Sequence, residues 1–563
     1  MKSISKKWLL TSLTLSGALL LAACGNDGGS DVEDEAAGDG GESTEEVSLG
    51  SKGAMEDFKV GDTFVATEPL NLEILYRDMP AYPLDKEWMF FDVLEEEHNV
   101  TFDIVSIPLS DWEERLSITM AAGDMPDYST DIWAGHEIPY VPSGQLLPIS
   151  DYVEYMPHLS SRIEEWEGVE EQMNNLRQQD GKYYVLPGLN ENIVFEFGLQ
   201  YNTTVFEEHG IAEPNSWDEL RAALETLKEE TGSKAPMTLW WQGNALLNFA
   251  SASFGSGAGG WGYMNGVVYD EEADEFVFTA MQDGFKDMIT YFSELTADGL
   301  LDIEAMTQDD QMARNKLLNL ESFVTSGNVG TLTDLNDGLA EQHGEGAYEF
   351  SRLPVLEGPA GKRARGGNTN SGMMLNADLA EREDFLAILQ FIDWLYYSDE
   401  GTEFAHWGVE GVTFEKTDEF VGGYKPVDGI QYEQFNPGAE KSLQEHYGFG
   451  NVAFAYAGPA HIRQSIMEEK EFNYQKRMNE EVEVVLPDPP HPMDSLTQEN
   501  ANMIGTPLKD TVDQYVFRFI SNQYSMDRWD EFMSALENQN VDGYVEMINE
   551  AYRENQEKLQ GAE

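Results

Sequence analysis

The chain has few cysteines, few cations and few long apolar runs. One cysteine, Cys24, stands among 563 residues. No disulfide can form within the chain, so a folded body must rest on its apolar core. Lys and Arg total 34 against 104 Asp and Glu, a formal charge of −70. Nucleic-acid binding needs clustered cations to neutralise phosphates, and this composition excludes it. It also argues against docking on an anionic lipid surface. Beyond residue 23 no stretch approaches the roughly 20 apolar residues that span a bilayer, so the body is not expected to cross a membrane. There is no HExxH and no GxSxG, since Phe254 stands where the first glycine before Ser256 should be. No internal repeat is visible. The nine histidines fall in no nameable motif. His136 and His406 lie near candidate loops and are read as structural.

What is present begins at the front end. Lys2, Lys6 and Lys7 precede a mostly apolar run at 8–21, which closes on "LAAC" at 21–24. These are the charged, apolar and small-residue parts of a secretory signal. With the cysteine directly after Ala23, the segment resembles a bacterial lipoprotein signal. That resemblance implies removal of 1–23, lipidation of Cys24, a mature charge of about −73, and a position on the outer face of the cytoplasmic membrane. A plain secreted protein is the alternative. Residues 24–57 are glycine, serine and acid with almost no large apolar side chain. Such a segment cannot bury enough surface to offset its ordering entropy and is expected to be a flexible acidic tether. The acids are spread along the whole chain, which reads as a solvated surface suited to salty or alkaline surroundings. Such a surface repels an anionic ligand unless the site carries local cations.

The body, at about 540 mature residues, is long enough for a large core in two lobes. "LNLEILYRD" (70–78) alternates like a strand, "DKEWMFFDVLEEEHN" (85–99) has helical spacing, and "VTFDIVSIP" (100–108) is again a strand. "SDWEERLSITMAAGD" (110–124) is expected as a helix capped by Ser110 with Glu113, and "NSWDELRAALETLKEET" as one capped by Ser216 with Glu219. "YSTDIW" reads as a short strand, and 182–206 as an extended segment entering a second unit. Residues 238–266 are rich in glycine and aromatics and read as irregular; 327–335 read as strand and turn. "REDFLAILQFIDWLYYSDEGTEFAHWG" (382–408) reads as a helix pair. Alternating strands and helices predict an α/β fold with mainly parallel sheets covered by helices.

Six segments in order resemble family 1 extracellular solute-binding proteins: "ITMAAGDMPDYSTDIW", "DGKYYVLP", "YNTTVFEEHGIAEPNSWDELRAALETLKEE", "ITYFSELTADGLLDIEAM", "WGVEGVTFE" and the helical stretch 514–552. The last three point to the long lipoprotein branch of Gram-positive bacteria that serves importers of complex oligosaccharides. The resemblance implies a two-lobed type II periplasmic-binding fold, each lobe a mainly parallel sheet, with a hinge between. It implies a monomer that holds an oligosaccharide in the inter-lobe cleft and docks on ABC importer permease subunits, bound to the membrane through its lipid alone. The expected division is 58–200 and 351–435 for the first lobe, with 201–350 and the C-terminal helices of 436–563 for the second. Some relatives carry a calcium loop after the helix equivalent to 217–231. Here that stretch is "TGSKAPM", without the carboxylates, and "DLNDG" (334–338) lacks a closing Glu, so no metal and no cofactor are expected. "YNTTVF" replaces the family's more charged hinge segment.

Sugars present apolar CH faces and rings of hydroxyls, so a sugar site needs flat aromatics and fixed polar groups. Of twelve tryptophans, those in loops or at strand ends are the candidates: Trp133, Trp240, Trp241, Trp261 and Trp407, with Tyr263. Tyr76, Arg77 and Asp78 close the first strand, and Asp131 precedes Trp133 by two. Trp88, Trp112, Trp217, Trp394 and Trp529 fall at helical core spacing and read as packing. "GKRARGGN" (361–368) is the densest cationic run. Arg363 and Arg365 could clamp a uronic carboxylate, against the blander reading of an exposed basic turn. No catalytic residue is assigned. A secreted carbohydrate-active enzyme, or the same fold binding a peptide or other small solute, remains the alternative, since a carboxylate pair among 104 acids proves nothing.

Overall fold

The computed structural model describes residues 49–562, apart from 258–261, 264–265, 421 and 434. The signal, Cys24, residues 24–48 of the tether and Trp261 lie outside the described residues. In chain order the framing strands are β1 (Leu70–Asp78), β2 (Val100–Pro108), β3 (Tyr128–Ile132), β4 (Leu186–Leu189), β5 (Gly198–Asn202), β6 (Val324–Gly327), β7 (Phe350–Leu353), β8 (Arg363–Arg365), β9 (Thr369–Leu375) and β10 (Glu483–Val485).

The first sheet has the order β2-β1-β3-β9-β4. β1 runs parallel to β2, with Leu70 opposite Val100 and Asp78 opposite Pro108, and parallel to β3. β9 enters antiparallel between β3 and β4. The alternation in β1 explains its place. Leu70, Leu72, Ile74 and Tyr76 go to one large core, while Leu75 joins Trp112, Leu116 and Met120 on the other face. Apolar side chains are thus buried on both faces, as a helix-covered sheet requires. The tryptophans at helical core spacing (88, 112, 217, 394 and 529) are all buried.

The second sheet departs from expectation. Its order is β6-β5-β7, and both pairings are antiparallel. Parallel contacts there come from Met237, bridged to Leu301 and Val324. The molecule is two-lobed and mixed α/β, but the mainly parallel sheet belongs to the first lobe.

The lobe borders also move. The second core takes Phe195 through Leu353, then Val355, Leu356 and Ala364, and resumes at Tyr474. The first core resumes at Met373 and runs to Ile462. Val355, Leu356 and Ala364, expected in the first lobe, thus pack with the second core, and Leu443 to Ile462, expected in the second, with the first core. Residues 50–55, expected in the tether, are bound to the body: Leu386 N–H donates to Gly50 O, Lys52 N–H to Glu383 O, and Met55 N–H to Gln390 Oε1 at 2.9 Å.

Local readings failed at three places. Ser110 lies in a short 3-10 turn, and the helix Trp112–Ala122 starts after Asp111 with no side-chain cap. Residues 244–254, within the stretch read as irregular, form a helix with nine of its residues from Ala245 to Phe254 buried. A helix buried on most faces carries no amphipathic period to detect. The 327–335 stretch is the end of β6 followed by the helix Val329–His343, capped by Asn328.

Candidate functional site

β1, β3 and β4 all end on one edge of the first sheet, and β9 begins there: Gly372 faces Ile132 and Thr369 faces Leu189. From this edge the chain crosses to the second lobe through residues 190–197. Open α/β sheets place ligands at the carboxyl ends of their strands, so this edge is the candidate site.

Asp131 occupies the end of β3 with φ at 57°, the left-handed region. A non-glycine residue held there stores on the order of 1–3 kcal/mol of strain, and such residues gather at functional sites. Its carboxylate is buried and ion-paired with Arg77 on β1, and Ser371 on β9 hydrogen-bonds it. Burial pushes its pKa up, while Arg77 and Ser371 pull it back. Trp133, two residues on, is 45% exposed. Of the sequence candidates, the pairing of β1 with β3 brings Arg77 and Asp131 together, and Trp133 follows just after the end of β3.

The second lobe offers a further group. Trp241, Gln242 and Gly243 are consecutive left-handed residues at φ 47°, 55° and 83°. The Trp241 N–H donates to Asp310 at 3.0 Å. Phe197, in the crossing segment, meets the Trp241 ring edge-on at 5.8 Å between centroids. Tyr263 donates its hydroxyl to Gln242 O at 2.9 Å, and burial pushes its pKa up to about 12.

The other candidates are placed elsewhere. Tyr76 is core; its hydroxyl accepts from Asn451 Nδ2 at 2.6 Å, and burial holds its pKa well above the usual phenol range. Asp78 secures the turn after β1, accepting from Leu84 N–H at 2.9 Å and Ser106 Oγ at 3.1 Å. Trp240 is buried with Leu317, Leu335 and Phe350. Trp407 is fully buried, donates to Ser465 Oγ at 2.7 Å and stacks on Tyr424 at 5.4 Å. Arg363 and Arg365 lie on β8, which pairs with β10. Arg363 pairs with Glu483 at 3.0 Å and Arg365 with Asp488 at 3.4 Å. The basic run is thus answered from within the chain.

Sequence reading missed three residues. Tyr82 is buried, its hydroxyl bonded to the backbone of Val452, and it lies within the electrostatic reach of Asp131, Glu433 and Arg77. Glu433 is left-handed at φ 48° and lies in the field of Arg463. Arg463 lines a cavity of ≈ 290 Å³ at the crossing segments, with Asn192, Val194, Gln464, Phe472 and Lys476. Its Nε is buried without a hydrogen-bond partner among the described residues. None of the three stands in a periodic or glycine-rich pattern, so no sequence signal marked them.

Residues 81–402 match the profile of the family described as bacterial extracellular solute-binding protein. Over 550 residues the chain is 22% identical to the fructooligosaccharide ABC transporter substrate-binding protein FusA of Streptococcus pneumoniae, covering 90% of this chain and 95% of that one. Over 360 residues it is 21% identical to the polygalacturonan/rhamnogalacturonan-binding protein YtcQ of Bacillus subtilis, covering 62% and 67%. Among solved structures, the HMO-binding, ABC-transporter-associated solute-binding protein of Bifidobacterium longum infantis is similar at a TM-score of 0.65 and 16% identity, over 86% of this chain and 99% of that one. At that identity the likeness is one of fold.

Proposed function

This chain belongs to the bacterial extracellular solute-binding proteins, and from that premise we propose that it captures an oligosaccharide at the lobe junction and delivers it to an ABC importer. Lipidated Cys24 anchors it outside the cell. The similar proteins named above are binding proteins for saccharides, and two of them belong to ABC transporters, by their descriptions, which supports capture over catalysis. The observation that carries the reading is Trp133: a large aromatic 45% exposed just after β3, two residues from the Asp131 that pairs with Arg77. A flat apolar face next to fixed polar groups suits a pyranose or furanose ring.

Calorimetric titration of the protein with neutral and uronic oligosaccharides tests this. A sugar should bind and be recovered from the cell chemically unchanged. Trp133→Ala should weaken binding about 10- to 100-fold, the scale of a lost aromatic anchor, with little change in melting temperature. Full affinity in Trp133→Ala would remove this residue from the site. Turnover of the sugar would revive the enzyme alternative. Cys24→Ser should release the protein from membranes.

A further inference from the structure

Where the lobes turn on one another can be read from how the chain is held as it passes between their cores. It leaves the first core at Leu189 and joins the second at Phe195; it leaves the second at Ala364 and rejoins the first at Met373. Both passages are gripped by side chains that bond their backbone. At the first-lobe end, the Asn368 amide donates to Asn190 O at 2.9 Å and to Glu191 O at 3.2 Å, while Asn190 N–H donates to Asn368 O at 2.7 Å. Gln172, on the helix Val169–Asn174, holds Asn368 in turn. Its Oε1 accepts from Asn368 N–H and its Nε2 donates to Asn368 Oδ1, both at 2.8 Å. Asn368 is buried, so the two passages are tied together at this end.

At the second-lobe end, Gln475 accepts from Phe195 N–H at 3.0 Å and donates to Phe195 O at 2.9 Å. Arg352, paired with Glu471 at 2.7 Å, donates to Phe195 O and Glu196 O, and Asn479 donates to Ile193 O at 3.0 Å. On the other passage Gly366 N–H donates to Val485 O at 3.2 Å. Little chain is left between the grips. On the first passage it is Asn192, which is exposed and makes no hydrogen bond among the described residues. On the second it is the junction of Gly366 and Gly367. A Cβ on Gly366 would stand 2.4 Å from Ile193 Cγ2, and one on Gly367 2.7 Å from Gln172 Oε1, so the chain runs too close there for a side chain. A hinge needs a few residues that take up the change in φ and ψ between rigid parts, and glycine has that freedom. Close packing resists displacement, but the ≈ 290 Å³ cavity lies against Asn192, Gln475 and Asn479 and leaves room for it.

We propose that Asn192 and the Gly366–Gly367 pair are the pivots between the lobes, and that Asn368 is the positioning residue that makes the two passages turn as one. This puts the pivot ahead of the 201–206 segment, which belongs to β5 and the helix Thr203–Glu208 of the second lobe. No sugar enters the argument or its test, so it stands or falls separately from the oligosaccharide reading.

The test is double electron–electron resonance on the ligand-free chain. Cys24→Ser clears the one native cysteine, and spin labels go on Glu113→Cys in the first lobe and Glu229→Cys in the second, both exposed. Asn368→Ala and Gln475→Ala each free one grip and should broaden the inter-lobe distance distribution. Asn192→Pro should narrow it, because proline fixes φ. Asn336→Ala removes a similar amide grip, on Phe350 N–H and O, but inside the second lobe, and should leave the distribution unchanged. Circular dichroism shows which variants fold; the grip variants and the proline variant test the proposal independently should either fail to. Grip variants that move the distribution no more than Asn336→Ala would overturn the role of Asn368 and Gln475. A distribution that Asn192→Pro does not narrow would overturn the pivot.

Discussion

At the scale of the residue, burial decides what a side chain is for. Trp407 closes a helix and Trp133 follows a strand, and one has no exposed surface while the other is 45% exposed. His406 shows the same logic for a titratable group. It is buried, its Nε2 meets Ala457 O at 3.3 Å, and desolvation pushes its pKa down to about 3. The folded state therefore holds it neutral, while the unfolded chain takes up a proton near 6.5. A depressed folded pKa gives stability that is present above the unfolded value and lost as pH falls toward the folded one. By pH 4 this single group costs on the order of 3 kcal/mol. His98 and His491, also pushed down by burial, add to the same limb. His406→Asn should flatten the fall in melting temperature between about pH 6.5 and 4. An unchanged acid limb would show that His406 does not drive it.

At the scale of the element, local rules held where a segment's ends are exposed and its faces differ. The helix Trp217–Thr231 opens as expected: Ser216 Oγ accepts from Glu219 N–H at 3.2 Å, although the Glu219 carboxylate reaches back to Asn215 N–H instead of completing the reciprocal box. Ser216→Ala should cost about 1 kcal/mol, read as a lower denaturation midpoint of the second lobe, while Ser110→Ala, which caps no helix, should cost far less. Equal losses would mean that the cap is not what holds this helix end. Elements without two unlike faces were not legible. The helix Asn244–Phe254 is buried almost all round, and β7 looks like any extended segment until its pairing with β5 is known.

At the scale of the whole molecule, the acidic surface dominates. With a formal charge of −70, self-repulsion opposes the compact state, and screening relieves it over the roughly 10 Å Debye length of 0.1 M salt, which shrinks to about 3 Å at 1 M. The melting temperature should therefore rise as NaCl goes from about 0.05 to 1 M. A flat or falling curve would mean that the carboxylates are balanced locally by the ion pairs that bind Arg77, Arg352, Arg363 and Arg365.

The sequence by itself determined the family, the two-lobed α/β class and most elements of the first lobe, because those follow from local periodicity and short ordered motifs. It also marked the tryptophans at helical core spacing, which all pack, but it left Trp240 and Trp407 among the binding candidates although both are buried. Only the tertiary structure decided which of those loop residues share a site. Arg77 meets Asp131 through a β1–β3 register. Arg363 and Arg365 meet acids more than a hundred positions away. Glu433 comes within electrostatic reach of both Tyr82 and Arg463, which stand far from it in sequence or on another element. Such contacts depend on strand pairing and chain crossing, and neither leaves a trace in the spacing of neighbouring residues.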